Sequence, residues 1–318
     1  MRILIIGGTG FIGLPLTHIL FERGHDVIPM ARRRSEDVSA YGDQLIADIT
    51  TQTDEAWDKA LTGIDTVIQL GDGFNAYEHL PAELKSEEAT ARLEATLGLA
   101  RAVSRNHVPN YIFLSTIKAV CGVAFEGTID DHTDANPTSL YGHLKLTVER
   151  KISEIAASSA TRFIALRFPV VFGEKSDGNF IKLLQLADTS LPLPFKSLTA
   201  RRSLISLPTL IHAIQQVTEN KGAASNTYVV HQGAISIADL ITTLRRGLDR
   251  PPQLFHIPAA AWGPIERLPK VGNLAQRFTR PLEISDENFR RNFAWSPEGS
   301  LSDALVDAAR SFKSTEPT

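Results

Sequence analysis

The first thirteen residues constrain the fold of this chain more than any other stretch. The apolar run RILII leads directly into GGTGFIG, which places glycines at Gly7, Gly10 and Gly13. A continuous apolar run is typical of a parallel strand that is buried on both faces. Glycines between such a strand and a helix permit a tight turn, let a pyrophosphate approach the backbone and allow the helix to pack closely on the strand. The pattern therefore predicts a dinucleotide-binding βαβ unit.

Strand-like and helix-like segments alternate through the first half of the chain, with short links between them. This alternation predicts an α/β fold with a doubly wound parallel sheet, the Rossmann type. After Phe168 prolines and helical stretches dominate, which predicts a smaller, mostly helical substrate lobe. The predicted boundaries are a dinucleotide-binding domain over 1–168 that 203–231 joins through a strand near 225–230, and a second lobe formed by 169–202 and 232–318.

Composition and charge exclude several classes of function. The chain has a formal net charge of -3, and its densest basic cluster is ARRR at 31–34, so we expect no nucleic-acid partner. Cys121 is the single cysteine, which rules out an internal disulfide and fits a reducing compartment. No apolar run has the length of a membrane span, and the nine histidines show no metal-ligand spacing. We therefore predict a cytoplasmic protein that does not insert into membranes and holds no metal.

The end of the second predicted strand bears on the choice of cofactor. Proteins that bind NAD usually carry an acidic residue there, which bonds the ribose 2′-hydroxyl. Ala31 stands at this position and is followed by Arg32 and Arg33. Guanidinium groups suit a 2′-phosphate through charge-assisted hydrogen bonds, so the sequence favours NADP, with NAD as the alternative. Asp48, at the end of the third strand, either contacts the adenine edge or serves only as a turn residue.

Two motifs in the middle of the chain suggest acid–base chemistry. The sequence YGHLK puts Tyr141 and Lys145 at positions i and i+4 of one helix face. A lysine beside a phenol favours the phenolate by its charge, so the tyrosine can exchange a proton near neutral pH. The sequence FLSTIK supplies the hydroxyls of Ser115 and Thr116 at the carboxyl edge of the sheet, where ligands bind in such folds.

Taken in order, GGTGFIG, the Ser/Thr-rich end of strand five and YxxxK resemble the extended short-chain dehydrogenase/reductases of the nucleotide-sugar epimerase/dehydratase family. The resemblance implies that Thr116, Tyr141 and Lys145 are catalytic, with Ser115 as the alternative to Thr116. It also implies a homodimer that forms through the two long helices. The cofactor contacts that it implies are Gly7, Gly10, Phe11, Ile12, Gly13, Arg32, Arg33, Asp48, Ile49, Leu70, Gly71, Ser115, Tyr141, Lys145, Phe168 and Pro169.

The resemblance continues into the second half of the chain. DGNFIKLLQLADTSLPLPF is similar to the family segment that holds the nucleotide diphosphate, and ARRSLISLPTL is similar to the segment that brings an arginine to the phosphates. Within the family, these segments look closest to enzymes that reduce or epimerise UDP-linked sugars in surface-polysaccharide synthesis. The substrate-binding residues that the resemblance implies are Thr116, Asn179, Leu193, Phe195 and Arg202.

The type of reaction is not fixed by these motifs. Dehydratases of this family carry an Asp-Glu pair directly after the catalytic Ser/Thr, whereas Ile117 and Lys118 stand there in this chain. Two reactions at C4 remain: reduction of a UDP-4-keto-6-deoxy (amino) sugar, or 4-epimerisation of a UDP-hexose or UDP-N-acetylhexosamine with retained NAD. Arg32 favours the reductase, because a reductase releases its spent cofactor and commonly draws on NADPH. An NADPH reductase of a non-nucleotide ketone or aldehyde, and a non-catalytic dinucleotide-binding scaffold, also stay open.

Several residues depart from the family pattern. Cys121 replaces the tyrosine that is common after strand five, and Leu144 replaces a small polar residue before Lys145. In the first long helix, Arg92 stands where an asparagine is common. The residues Thr116, Tyr141 and Lys145 themselves match the pattern.

Overall fold

The computed structural model describes residues 1–71, 82–174, 176, 178–258, 261–268 and 272–315. The strands within them are β1 (Arg2–Ile6), β2 (Asp26–Ala31), β3 (Leu45–Ile46), β4 (Thr66–Gln69), β5 (Asn110–Leu114), β6 (Thr128–Ile129), β7 (Arg162–Arg167), β8 (Val170–Phe172), β9 (Arg201–Ser206), β10 (Asn226–Val229), β11 (Gly233–Ser236) and β12 (Glu283–Ile284). The α-helices are α1 (Gly13–Glu22), α2 (Asp54–Leu61), α3 (Ala82–Arg105), α4 (Leu140–Ala157), α5 (Gly178–Asp188), α6 (Leu207–Glu219), α7 (Ile237–Gly247), α8 (Trp262–Glu266), α9 (Gly272–Thr279), α10 (Glu287–Phe293) and α11 (Leu301–Thr315).

Seven strands form one sheet in the order β10-β7-β5-β4-β1-β2-β3. Neighbouring strands from β7 to β3 all pair in parallel. The chain builds outward from β1 through β2 to β3 and then returns to the other side of β1 with β4. Ligands bind at such a reversal, outside the carboxyl ends of the strands. The predicted doubly wound parallel sheet is thus confirmed, and its switch point lies between β1 and β4.

The middle strands of this sheet are buried because both of their faces are apolar. Ile3, Leu4 and Ile5 of β1 are fully buried, as are Val67 of β4 and Phe113 of β5. Full burial of one such side chain contributes about 1.5–3 kcal/mol to folding. Leu4, Val67 and Phe113 form one apolar cluster with residues of α3 and α4, which include Leu97, Ala100, Val148 and Ile152. The helix that carries Tyr141 is therefore held on the sheet by a continuous core.

The chain divides into two compact units, Met1–Val120 with Asp134–Arg167 and Ile211–Tyr228, and Cys121–Thr133 with Phe168–Leu210 and Val229–Thr318. The first unit carries the large sheet, in which β10 is the expected strand near 225–230. The second unit contains much helix, as predicted, and also two small sheets, β11-β9-β8 and β12-β6. Apart from β9, these strands have two to four residues, which is too short to show a clear alternation of apolar and polar residues. β9 runs across the expected boundary between 202 and 203.

Candidate active site

The turn after β1 requires its glycines for steric reasons. Gly7 has a φ of +84°, which L side chains rarely adopt, and a Cβ there would lie 3.2 Å from the backbone nitrogen of Gly71. A Cβ on Gly13 would lie 2.0 Å from the carbonyl oxygen of Gly7, so no side chain fits between the turn and α1. At Gly10 the nearest atom to a Cβ position is the Gly7 oxygen at 3.4 Å, which leaves this backbone accessible to a ligand.

The N-terminus of α1 is suited to a phosphate. Its N-cap residue, Ile12, makes no side-chain capping bond, and the first turn carries no acidic residue. The partial positive charge of the helix end is thus left without an anionic side chain of α1. Together with the glycine turn, this end of α1 fits the diphosphate of a dinucleotide, and Phe11 and Ile12 are half-buried beside it.

Charged residues gather near the carboxyl ends of β2 and β3. β2 ends at Ala31, and Arg32 and Arg33 are exposed. Asp48 Oδ1 accepts hydrogen bonds from the Thr50 amide (2.9 Å) and hydroxyl (2.8 Å). The pKa of Asp48 lies below its ordinary value, mainly because of the amide bond, and the charges of Arg92 and Arg32 lower it further. Asp48 therefore caps the turn Ile49–Thr51, with two arginines within electrostatic range, and its contact with the adenine edge stays a prediction.

Thr116, Tyr141 and Lys145 come from two elements of the first unit. Thr116 is buried and begins the 3-10 turn Ile117–Ala119 directly after β5. Tyr141 and Lys145 lie in the first half of α4, with the Lys145 Nζ 5.8 Å from the centre of the Tyr141 ring. The Lys145 Nζ also donates a hydrogen bond of 2.6 Å to the carbonyl oxygen of Leu114, at the end of β5. The lysine therefore ties the tyrosine helix to the strand that supplies the hydroxyls.

Gly142 lets the start of α4 meet the turn after Thr116. The Ser139 hydroxyl caps α4 by accepting a bond from the Gly142 amide at 3.1 Å. A Cβ on Gly142 would lie 2.2 Å from the carbonyl oxygen of Lys118 and 3.0 Å from Pro137 Cβ. The backbone of the turn thus fills the space that a side chain would need, which fixes Tyr141 and Thr116 relative to each other.

Gly142→Ala is expected to lower both stability and turnover, whereas Gly98→Ala is not. The new methyl group of Gly142→Ala would push α4 away from the turn, at a cost of about 1–3 kcal/mol. A Cβ on Gly98, within α3, meets no atom within 4 Å, so alanine there should stabilise the helix by about 0.5–1 kcal/mol. Urea denaturation and turnover of both variants test this, and equal behaviour would contradict the proposed fit of Gly142.

Ser115 presents a buried polar group to the same edge of the sheet. Its amide donates to the carbonyl oxygen of Leu166 at 2.8 Å, and the residue is 1% exposed. Its Oγ has no hydrogen-bond partner among the described residues. An orphaned hydroxyl of this kind is satisfied when a polar ligand binds. Of the other predicted cofactor residues, Ile49 is buried, Leu70 is half-buried and Gly71 is exposed.

The remaining predicted residues lie in the second unit. Leu193 and Phe195 are buried in its core, where the Phe195 ring stacks at 5.1 Å on Phe278. Phe168 is half-buried and Pro169 is buried, just before β8. The side chain of Asn179 lies outside the described part of the structure. Leu193 and Phe195 thus pack in the core of this unit, and their predicted place beside the uracil stays a prediction.

Arg202 is held by the backbone of the second unit. Its guanidinium donates to the carbonyl oxygens of Arg280 (2.9 Å) and Val123 (2.8 Å). Burial, with a smaller effect from the charge of Arg277, lowers the pKa of Arg202 to about 10. Burial also raises the pKa of the Cys121 thiol to about 11. A thiol at neutral pH is a poor nucleophile, so Cys121 is a packing residue.

Two charged groups of this unit were not singled out from the sequence alone. Lys118 counted only against a dehydratase, yet its Nζ lies 5.3 Å from the centre of the Tyr141 ring. Glu149 follows Lys145 by one helical turn, and its buried carboxylate pairs with Arg167 of β7 at 2.6 Å. The spacing of Tyr141, Lys145 and Glu149 on one helix face could have indicated the second group.

The glycine turn, the parallel sheet and the Tyr141–Lys145 pair define a dinucleotide-dependent enzyme of Rossmann type. The chain belongs to the NAD dependent epimerase/dehydratase family, whose model matches residues 3–230. The resemblance that the sequence motifs indicated is thus confirmed, and the chain is an enzyme of an NAD-dependent class. In the part of the chain that the structure describes, no helix is long and apolar enough to cross a membrane.

Three proteins that match nearly the whole chain are only distantly similar to it in sequence. A Vibrio cholerae protein described as UDP-glucose 4-epimerase is 25% identical over 98% of this chain and 95% of its own length. Among solved structures, UDP-glucuronic acid 4-epimerase from Bacillus cereus in complex with NAD has a TM-score of 0.76 at 19% identity and covers 99% of this chain and 97% of its own. UDP-glucose 4-epimerase from Thermotoga maritima, with UDP-glucose, has a TM-score of 0.72 at 17% identity and covers 99% of both chains. At these identities the solved structures show the shared fold.

Proposed function

We propose that this chain interconverts the C4 configurations of a UDP-linked hexose or N-acetylhexosamine and retains its NAD. The observation that carries the proposal is the Tyr141–Lys145 pair, fixed through Gly142 against the turn that begins at Thr116. The substrate class is supported by the whole-length similarity to the Vibrio cholerae protein described as UDP-glucose 4-epimerase. From the sequence motifs alone this activity ranked second, after the C4 reductase.

The residues of the first unit fit NAD. The close contact between Gly13 and Gly7 and the uncapped start of α1 suit the diphosphate, and the orphaned Ser115 hydroxyl suits a polar group of the bound ligand. The nicotinamide ring of NAD supplies a hydride acceptor and donor when it is bound. The chain itself must then bind the sugar, orient its C4 oxygen and move one proton.

Tyr141 is the proton carrier in this proposal. Its phenolate takes the proton of the C4 hydroxyl while that carbon is oxidised, and returns it to the same oxygen when the ketone is reduced from the opposite face. The Lys145 ammonium stabilises the phenolate by its charge. The Thr116 hydroxyl orients the C4 oxygen by a hydrogen bond. Each cycle thus leaves the protein and its cofactor in their starting states.

Reduction of a UDP-4-keto-6-deoxy (amino) sugar at C4 is the second candidate. It is favoured by the end of β2, where Ala31 replaces the usual acid and Arg32 is exposed. This arrangement suits the 2′-phosphate of NADPH, and the same Tyr141 then serves only as a proton donor.

For substrate binding we propose Asn179 and Arg202 at the diphosphate. Among the described residues, two of the five N–H groups of Arg202 donate to carbonyl oxygens, and the guanidinium can offer others to a phosphate. A homodimer through α3 and α4 and a cytoplasmic location remain predictions.

Dialysed protein distinguishes the two candidates. An epimerase should retain NAD through dialysis and interconvert UDP-glucose and UDP-galactose, or their N-acetyl forms, without added cofactor. A reductase should lose its cofactor and oxidise added NADPH only with a UDP-linked 4-keto-6-deoxy sugar. Free UDP should compete in either case, because the nucleotide end supplies most of the ground-state binding. Failure of UDP to bind would contradict both candidates. It would favour a reductase of a non-nucleotide ketone or aldehyde, or a non-catalytic dinucleotide-binding scaffold.

A further inference from the structure

Lys118 lies beside three residues of the candidate site, Thr116, Gly142 and Tyr141. Its amide donates to the Thr116 hydroxyl at 3.3 Å, and its carbonyl oxygen lies against Gly142. Its ammonium lies 5.3 Å from the centre of the Tyr141 ring, slightly closer than that of Lys145 at 5.8 Å. The side chain is half-buried, which reduces the screening of its charge by water. Two cations therefore face one phenol, and they come from different elements.

Charged groups on the elements that pack near Tyr141 have partners elsewhere or lie toward other sites. Farther along α4, Glu149 is neutralised by its bidentate pair with Arg167 of β7. α3 contributes apolar residues such as Leu97 to the cluster against which Tyr141 packs. The charged Arg92 of α3 lies within range of Asp48.

We infer that Lys118 is a second positioning residue of the active site, which together with Lys145 favours the phenolate of Tyr141. The inference rests on the proposed role of Tyr141 as the proton carrier. A cation next to an acidic group lowers the pKa of that group by about 1–3 units. Both ammonium groups lie within 6 Å of the centre of the ring that bears the phenol oxygen. Because Lys118 is half-buried, we expect an effect near the lower end, about one pH unit.

The test compares Lys118→Met, Lys118→Arg and the unmodified protein by titrating Tyr141. Each protein is paired with its Tyr141→Phe form, and the difference in tyrosinate absorbance isolates Tyr141 from the other four of the five tyrosines. Lys118→Met should raise the midpoint of this titration by about one pH unit. Lys118→Arg keeps the charge and should restore the parent midpoint. Lys151→Met is the control: it removes an exposed charge from α4, the helix of Tyr141, and should leave the titration midpoint of Tyr141 unchanged.

Two results would overturn the inference: an unchanged midpoint in Lys118→Met, or equal shifts in Lys118→Met and Lys118→Arg. The second result would assign the effect to the shape of the side chain and not to its charge. Circular dichroism of each variant establishes that it is folded before it is titrated. The titration needs neither substrate nor cofactor, so its outcome is independent of whether the chain is an epimerase. Once a substrate is known, the pH profile of turnover should move with the titration.

Discussion

Tyr141→Phe is expected to lower turnover by at least about a hundredfold and to leave the affinity for the cofactor nearly unchanged. The substitution removes the hydroxyl that carries the proton and keeps the ring that packs against the core of the first unit. Turnover of the UDP-sugar and the equilibrium binding of NAD or NADP, measured separately, test the two halves of this prediction.

Tyr41→Phe is the matched control for this loss. Tyr41 also lies in the first unit, where its ring contacts Phe21 at 5.3 Å and His18 at 5.5 Å. It is remote in sequence from Thr116 and α4, so the loss of its hydroxyl should leave turnover near the parent value. Near-normal turnover in Tyr141→Phe would remove Tyr141 from the mechanism. A loss of cofactor binding would show that its hydroxyl serves binding instead.

Arg167→Met is expected to lower the free energy of unfolding by about 3–5 kcal/mol. Arg167 and Glu149 are 8% and 3% exposed, and the guanidinium contacts both carboxylate oxygens at 2.6–3.1 Å. Removal of the arginine leaves a buried carboxylate without its counter-charge, which is the costly way to break such a pair. Urea denaturation of the purified protein measures the change.

Two further variants test whether the burial of the pair causes this loss of stability. Arg310→Met breaks an ion pair with Asp307 whose partners are 69% and 71% exposed, so its stability should change little. The double variant Arg167→Met/Glu149→Met replaces both charges with apolar groups and should recover most of the lost stability. If Arg167→Met costs no more than Arg310→Met, the pair does not hold α4 on β7.

Features that depend on neighbouring residues were predictable from the sequence. The apolar run before Gly7 has the composition of a buried parallel strand, and the glycines satisfy a steric rule of the turn that follows it. Tyr141 and Lys145 lie side by side on one face of α4, because the pitch of an α-helix places residues four apart on the same side. The change in pattern after Phe168 likewise indicated a second, mostly helical unit.

Features that depend on packing between distant segments were decided only by the tertiary structure. Lys118 lies over Tyr141 because α4 begins against the turn after β5, and no local periodicity relates these two positions. The partner of Glu149 comes from β7, and the burial of Phe195 follows from α8 and α9 packing over it. The sequence by itself determined the class of fold, the glycine turn after β1 and the placement of Tyr141 and Lys145 on one helix face, because each follows from steric rules over a few residues. The surroundings of that pair required the folded chain, because electrostatic effects depend on distances that only packing sets.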